Sequence, residues 1–294
     1  MKIQFVLDSG ADLPDAIIEK YNLDIFPLYI YNDENKYKDG IDLTSKDLYK
    51  NMRAGSVYKT SQVITNDFLE SFKEYARRGE TVIYPAFSSE LSGTLQSALL
   101  AKKKVKEDYP EFDLTIIDTK SASMGIGLAL YNVIKECENE DLNKEDIIER
   151  IVYYTSHMEH IFTVENLDYL VKGGRLNRVS GFVGEILNIK PILEVNNGEL
   201  KPLERKKGSK KVRRRIEEIV EERGTNLSKQ NLAVAHADCI NKAEILEKNI
   251  IKKTNCRDII TSEIGAVIGA HTGPGTYGIM FINENKKVNE IKIY

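Results

Sequence analysis

The first half of the chain alternates short apolar runs with stretches of helical period. Residues 3–7 form an apolar run of strand character that stops at Asp8-Ser9-Gly10. Asp12, with Pro14 close behind, predicts a helix to about Tyr21, so the chain opens as strand, turn and helix. Residues 24–31 and 36–38 read as a hairpin around 32–35, and Thr44 with Asp47 three residues on predicts a helix over 44–54 that ends near Gly55. Thr65 is expected to cap a helix through Phe68, Leu69, Phe72 and Tyr75, and the β-branched and aromatic residues at 81–85 read as a strand. A helix over 95–108, a strand over 114–118 and helices over 123–138 and 146–157 follow. Strands that alternate with helices in this way predict a mostly parallel sheet.

Beyond about residue 160 the pattern changes. Lys172-Gly173-Gly174-Arg175 closes a short helix, Asn196-Asn197-Gly198 marks a hairpin turn, and a basic run follows. Strands are expected near 190–195, 199–204, 231–236, 257–262 and 277–282, with helices near 210–223 and 241–253. Hairpins mixed with crossovers predict an α+β unit. The expected architecture is therefore an N-terminal α/β domain over 1–160 and a C-terminal α+β domain over 161–294.

Composition agrees with such a pair. A chain of 294 residues has room for two ordinary domains, and 41% apolar with 30% charged residues is the balance of a globular protein. The formal charge of −3 offers no electrostatic footprint for nucleic acid. Cys137, Cys239 and Cys256 are odd in number and widely spaced, which suits neither a disulfide framework nor a zinc site and fits a reducing cytoplasm. Residues 1–8 run directly into a strand without a signal segment, and no stretch approaches the ~20 apolar residues of a membrane span. A cytoplasmic protein without a stable membrane anchor is expected.

The strongest local signal is Ser88-Ser89-Glu90-Leu91-Ser92-Gly93-Thr94, which joins a predicted strand end to a predicted helix start. Free backbone amides at a helix N-terminus suit an anion, more so with hydroxyls beside them. Capping alone needs one such hydroxyl, and this loop has four. No lysine follows the glycine as in a P-loop, which disfavours a tight nucleotide site. Thr60-Ser61-Gln62 could bring further hydroxyls to the same crevice, although alone it reads as an ordinary turn. His271-Thr272-Gly273-Pro274-Gly275 sets a histidine beside a glycine-rich turn, the alternative being a tight loop with a surface histidine. Arg175 either clamps an anion or offsets a helix dipole. No nucleophile elbow and no cysteine–base pair can be assembled, and His157-Met158-Glu159-His160 lacks zinc-protease spacing and reads as a helix end. No catalytic residue, metal or cofactor is assigned.

Taken in order, these pieces resemble the DegV family of bacterial fatty-acid-binding proteins. The resemblance runs from Asp8-Ser9 and Asp12-Leu13-Pro14 through Thr60-Ser61-Gln62, Phe87-Ser88-Ser89, Leu91-Ser92-Gly93-Thr94 and Gln96-Ser97-Ala98. It continues through Asp118-Thr119, Ser123, Gly125, Lys172-Gly173-Gly174-Arg175-Leu176, Lys190-Pro191-Ile192-Leu193 and His271 with Gly273-Pro274-Gly275. It implies two α/β domains with a long-chain fatty acid between them, the carboxylate held by Thr60 and Ser92 with Ser61, Gly93, Thr94 and His271 around it. Ser88, Ser89 and Arg175 would support the site, and Phe182, Ile186 and Leu187 are candidates for the tunnel wall. The resemblance further implies that the protein is the binding subunit of a fatty acid kinase, presenting the carboxylate to a separate ATP-binding subunit that makes acyl phosphate. Arg205-Lys206-Lys207 would dock that subunit, whereas the run over 210–215 reads as a solvated helix face. The sequence departs from the family pattern at Val63-Ile64, where a proline is common, and at Gly208-Ser209, where an alanine-rich helix start is usual.

The physics suits such a ligand. Each buried CH₂ contributes roughly 0.8 kcal/mol, on the order of 10 kcal/mol gross for a long chain, while the carboxylate must be hydrogen-bonded on leaving water. The alternative is a self-sufficient enzyme acting on a small carboxylated or phosphorylated metabolite, with His271 near Ser92 as its sole candidate pair.

Overall fold

The computed structural model describes residues 3–33, 35–176, 189–287 and 290–294. The chain begins with β1 (Ile3–Asp8), a 3-10 turn at Ser9–Ala11 and α1 (Asp15–Tyr21). Asp12 does not start that helix. It adopts a left-handed φ of 50° and directs its carboxylate into the protein. Next come β2 (Asp24–Phe26), β3 (Tyr29–Asn32), β4 (Asn35–Lys38), α2 (Ser45–Arg53), β5 (Lys59–Ser61) and α3 (Thr65–Arg77). Residues 24–31 are not one hairpin arm. Pro27, which has no N–H to give a ladder, separates β2 from β3. β2 pairs in parallel with β1, and β3 joins β4 and β5 in a small antiparallel sheet.

β6 (Thr81–Ala86), α4 (Thr94–Asp108), β7 (Leu114–Asp118), α5 (Met124–Cys137) and α6 (Lys144–His157) complete the first half. Strands β7, β6, β1 and β2 lie parallel in that order. β6 and β7 are buried along their whole length, as expected of a sheet covered on both faces.

α6 stops at His157, and residues 158–160 belong to a strand rather than to a helix end. This strand is β8 (Met158–Thr163), followed by α7 (Asp168–Lys172), β9 (Ile189–Asn196), β10 (Glu199–Lys207), α8 (Ser209–Arg223), β11 (Asn231–His236), α9 (Ile240–Thr254), β12 (Asp258–Glu263), α10 (Ala266–Thr272), β13 (Tyr277–Ile282) and β14 (Lys292–Ile293). Pairing on both flanks, with β13 and β9, settles β8 as a strand. The six-stranded sheet has the order β10-β9-β8-β13-β11-β12 and is antiparallel except at β11–β12. β14 returns to the first sheet and pairs antiparallel with β7. The β9–β10 turn has φ of 52° at Asn197 and 82° at Gly198, the two positive values that a two-residue hairpin with strand-matched twist needs.

α5 joins the two sheets. It packs on β6 on one side and on β8, β11 and β13 on the other. One apolar core runs from Val6 and Tyr84 through Ile126 and Leu130 to Ala235 and Met280, and a second lies under α8 and α9 around Ile216, Leu246 and Phe281. Asp12 ties this junction. Its carboxylate accepts the Ser123 hydroxyl at 2.5 Å and the Gly265 N–H at 2.8 Å, and its carbonyl accepts the Ser262 hydroxyl at 2.6 Å. Asp39 accepts the amides of Ala266 and Val267 at 3.0 and 3.3 Å and so aims the first turn of α10.

Candidate functional site

The loop between β6 and α4 is held from outside by its first two serines. Ser88 is fully buried, donates its hydroxyl to the Gly198 carbonyl at 2.9 Å and accepts the Glu90 N–H at 3.2 Å. Ser89 donates to Asp118 Oδ2 at 2.6 Å and accepts Lys120 Nζ at 2.8 Å. Both brace the loop and neither lines the cavity beyond it. Ser92 does line it, sharing a 2.8 Å hydrogen bond with the Thr94 hydroxyl and accepting the Thr94 N–H at 3.2 Å. Thr94 is buried behind Ser92, where its Oγ1 accepts the Val63 N–H at 3.4 Å and links α4 to the end of β5. Gly93 is solvent-facing and outside the cavity. Its lack of a side chain makes room for Gln62, whose Oε1 a Cβ there would strike and whose Nε2 donates to Ser97 Oγ at 2.5 Å.

Across the cavity, β5 presents Thr60 and the C-terminal turn of α10 presents His271. Thr60 Oγ1 lies 2.6 Å from His271 Nε2. The ring is partly buried rather than a surface histidine, and its buried Nδ1 has no hydrogen-bond partner among the described residues. Burial, aided by the nearby Arg175 cation, pulls the His271 pKa down to about 4, so the imidazole is neutral at physiological pH. Arg175 follows Gly174, which has a φ of 71°, past the end of α7. Its Nε donates to the Leu91 carbonyl at 3.1 Å and Nη1 to the Gly173 carbonyl at 2.8 Å. Its hydrogen bonds among the described residues go to these two carbonyls, and burial lowers its pKa.

These groups form one end of a cavity of about 840 Å³, part of it open to solvent. Thr60, Ser61, Ser92, Arg175 and His271 are all on its wall. Much of the remainder is apolar, including Leu28, Phe87, Phe162, Leu200, Ile264 and Met280. Thr60, Arg175 and His271 also line an adjoining cleft of about 1300 Å³ together with Lys59, Asn166 and Lys172. The polar end of the apolar cavity is thus the end that meets the outer cleft.

Phe182, Ile186 and Leu187 lie outside the described residues. Arg205, Lys206 and Lys207 finish β10, with Lys206 paired to Glu204 at 2.9 Å. In the following helix Arg213, Arg214 and Arg215 are each set against glutamates of that helix, and Arg215 also reaches Glu204. Sequence reasoning named Ser123 among the family-like positions and read His160 as a helix end, and assigned neither of these, nor Ser121, to the site. Ser123 and His160 line the cavity, and Ser121 Oγ lies 2.8 Å from His160 Nε2. The alternation Met158, His160, Phe162 was the available signal, hidden by the preceding helix. Among the described residues no group of three His, Cys, Asp or Glu could hold a metal, and no helix is long and apolar enough to cross a membrane.

Fold and site together define an α/β protein with a largely apolar cavity and a hydroxyl, imidazole and guanidinium cluster on its wall. The profile described as "Uncharacterised protein, DegV family" matches residues 2–284, and the chain belongs to that family. A DegV domain-containing protein of Clostridium perfringens is 37% identical over 97% of this chain and 99% of its own. A Thermotoga maritima protein named as a fatty acid-binding protein is 36% identical over 95% of this chain and 96% of its own. A crystal structure of a DegV lipid-binding protein, also from Thermotoga maritima, superposes with a TM-score of 0.84 at 34% identity, covering 98% of this chain and all of that one.

Proposed function

We propose that this protein binds a long-chain fatty acid in the apolar cavity, in the cytoplasm, and presents its carboxylate to a separate ATP-dependent kinase subunit that converts it to acyl phosphate. The observation that carries the binding reading is that Thr60, Arg175 and His271 line both the apolar cavity and the outer cleft, with Ser92 also on the cavity wall. An amphiphile with its chain inside and its carboxylate at these residues satisfies both parts of the wall. The relatives named for fatty acid and lipid binding support the choice of ligand.

The carboxylate would accept from Ser92 and Thr60, with the neutral His271 ring as a further donor once its proton resides on the nitrogen facing the ligand. These neutral donors hold the carboxylate without fully quenching its nucleophilicity toward a phosphoryl group. Arg175 lines both the cavity and the outer cleft, and in this reading it would stabilise the transferred phosphoryl charge. The resemblance to fatty acid kinase binding subunits supports placing ATP on a partner and supports Arg205, Lys206 and Lys207 as its dock. A self-sufficient enzyme is less well supported, because a His271 of pKa about 4 is a weak general base at neutral pH.

The test is direct. Protein purified without added lipid is denatured, extracted with organic solvent and weighed for fatty acid by mass spectrometry, with near-stoichiometric acid expected. Mixed with ATP and the kinase subunit, it should yield acyl phosphate trapped by hydroxylamine, and Arg205→Ala with Lys207→Ala should lower that turnover while leaving fatty acid binding intact. An empty protein that also fails to bind added fatty acid overturns the reading.

A further inference from the structure

Of the polar residues on the cavity wall other than Thr60, Ser61, Ser92, Arg175 and His271, the residues Ser123, Thr272 and Thr276 donate their hydroxyls to protein oxygens, which leaves His160. His160 is 3% exposed, and its ring lines the cavity from β8. Ser121 Oγ lies 2.8 Å from Nε2, while Nδ1 is buried and completes no hydrogen bond among the described residues. The carbonyls of Ala122 and Met158 lie within reach of the ring and favour its proton, but neither meets Nδ1 with hydrogen-bond geometry. The pocket for this ring is built in. A Cβ at Gly125, in the first turn of α5, would collide with the imidazole, so the helix approaches His160 through a glycine.

Strand register places the ring along the cavity. His160 pairs with Met280 and Phe162 with Gly278, and all four line the wall. Thr276, which donates to the Thr272 carbonyl beside His271, lines the same wall four residues before Met280. Four residues of extended chain span about 13 Å, so a carboxylate held at His271 would set His160 beside the middle of a long acyl chain.

We propose that the Ser121–His160 pair is a subsite for an oxygen substituent on the acyl chain, so that the cavity prefers a mid-chain hydroxylated fatty acid to the plain saturated acid of equal length. This rests on the fatty acid reading above. The chemistry is that of an orphan polar atom in an apolar wall. A plain methylene leaves Nδ1 unpaired, whereas a hydroxyl pairs with it in either tautomer, accepting from Nδ1–H when Ser121 donates to Nε2 and donating to Nδ1 when Nε2 carries the proton. Sites built to bond a ligand hydroxyl discriminate against analogues that lack it.

The test is competition binding on the full chain with stearic acid and a series of hydroxystearic acids bearing the hydroxyl at successive mid-chain positions. The wild type should bind one isomer about tenfold tighter than stearic acid, the size of one well-made buried hydrogen bond. His160→Phe should abolish that preference while keeping or strengthening stearic acid binding. His160→Leu serves the same purpose should the phenylalanine variant lose its cooperative melt. Stearic acid binding with no isomer preferred, or a preference that survives in either variant, overturns the subsite and leaves the fatty acid reading standing. Failure of the wild type to bind any of these acids overturns the fatty acid reading itself.

Discussion

Replacing Thr60 by valine isolates the hydroxyl of β5. Valine is nearly isosteric and suits a strand, so the backbone around 59–61 should be retained. The lost group is the hydroxyl 2.6 Å from His271 Nε2, on a ring whose other nitrogen already lacks a partner among the described residues. Leaving a buried polar atom bare costs about 1–3 kcal/mol, so the unliganded variant should melt a few degrees lower. The ligand loses more specifically. A hydrogen bond to a charged group contributes about 1.5–3 kcal/mol, which is about a ten- to hundredfold rise in Kd for a long-chain fatty acid. Displacement of a fluorescent fatty acid measures it, with the fatty alcohol of equal chain as control. The alcohol should be affected much less, since it brings no charge to that end. A fatty acid Kd within twofold of wild type would refute the placement of the carboxylate at Thr60. The double variant with His271→Ala should show strong non-additivity, because the two residues share one hydrogen bond.

Other outcomes follow from the same geometry. Burial raises the Asp12 pKa to about 8, so Asp12 is protonated when folded but ionised when unfolded above about pH 4. Its contribution to stability is present in acid and is lost as pH rises toward 8, and Asp12→Asn should flatten that part of the profile of urea midpoint against pH. His271 has the opposite sign, since its pKa is lowered to about 4. Its neutral form stabilises the fold above about pH 6.5 and the benefit disappears as pH falls toward 4, a slope that His271→Gln should reduce in acid-titrated denaturation. Gly93→Ala drives a Cβ into Gln62 and should break the Gln62–Ser97 bond, weakening fatty acid binding through displacement of Ser92 at a stability cost of about 1 kcal/mol in a chemical melt. Ala235→Phe places a ring inside the cavity and should shift the preferred ligand toward shorter chains in a binding series over acyl length, with the carboxylate end unaffected.

Much of the architecture was legible in local pattern. Strands β1, β6 and β7 are short apolar or β-branched runs between helices of clear period, and Asn197-Gly198 announces its own turn, because strand burial and hairpin geometry leave their marks within a few residues. The hydroxyl-rich loop, Thr60 and His271 were also legible as candidate polar groups, and the resemblance across the whole chain brought them together. What residue order could not show was which groups face the cavity. Ser88, Ser89 and Thr94 have the same hydroxyl chemistry as Ser92, yet their partners are Gly198, Asp118 and Val63, from segments distant in sequence. Asp12 looked like a helix cap and instead bonds Ser123 and Gly265, since only the packed chain brings those donors to it. His160 looked like a helix end and became a cavity residue because pairing with β13 and β9 pulled it into a strand. The sequence by itself determined the alternation of elements and the stock of polar groups. The tertiary structure decided which of those groups are satisfied by the protein and which are left facing an apolar cavity, because that depends on partners that meet only when the two sheets close on α5.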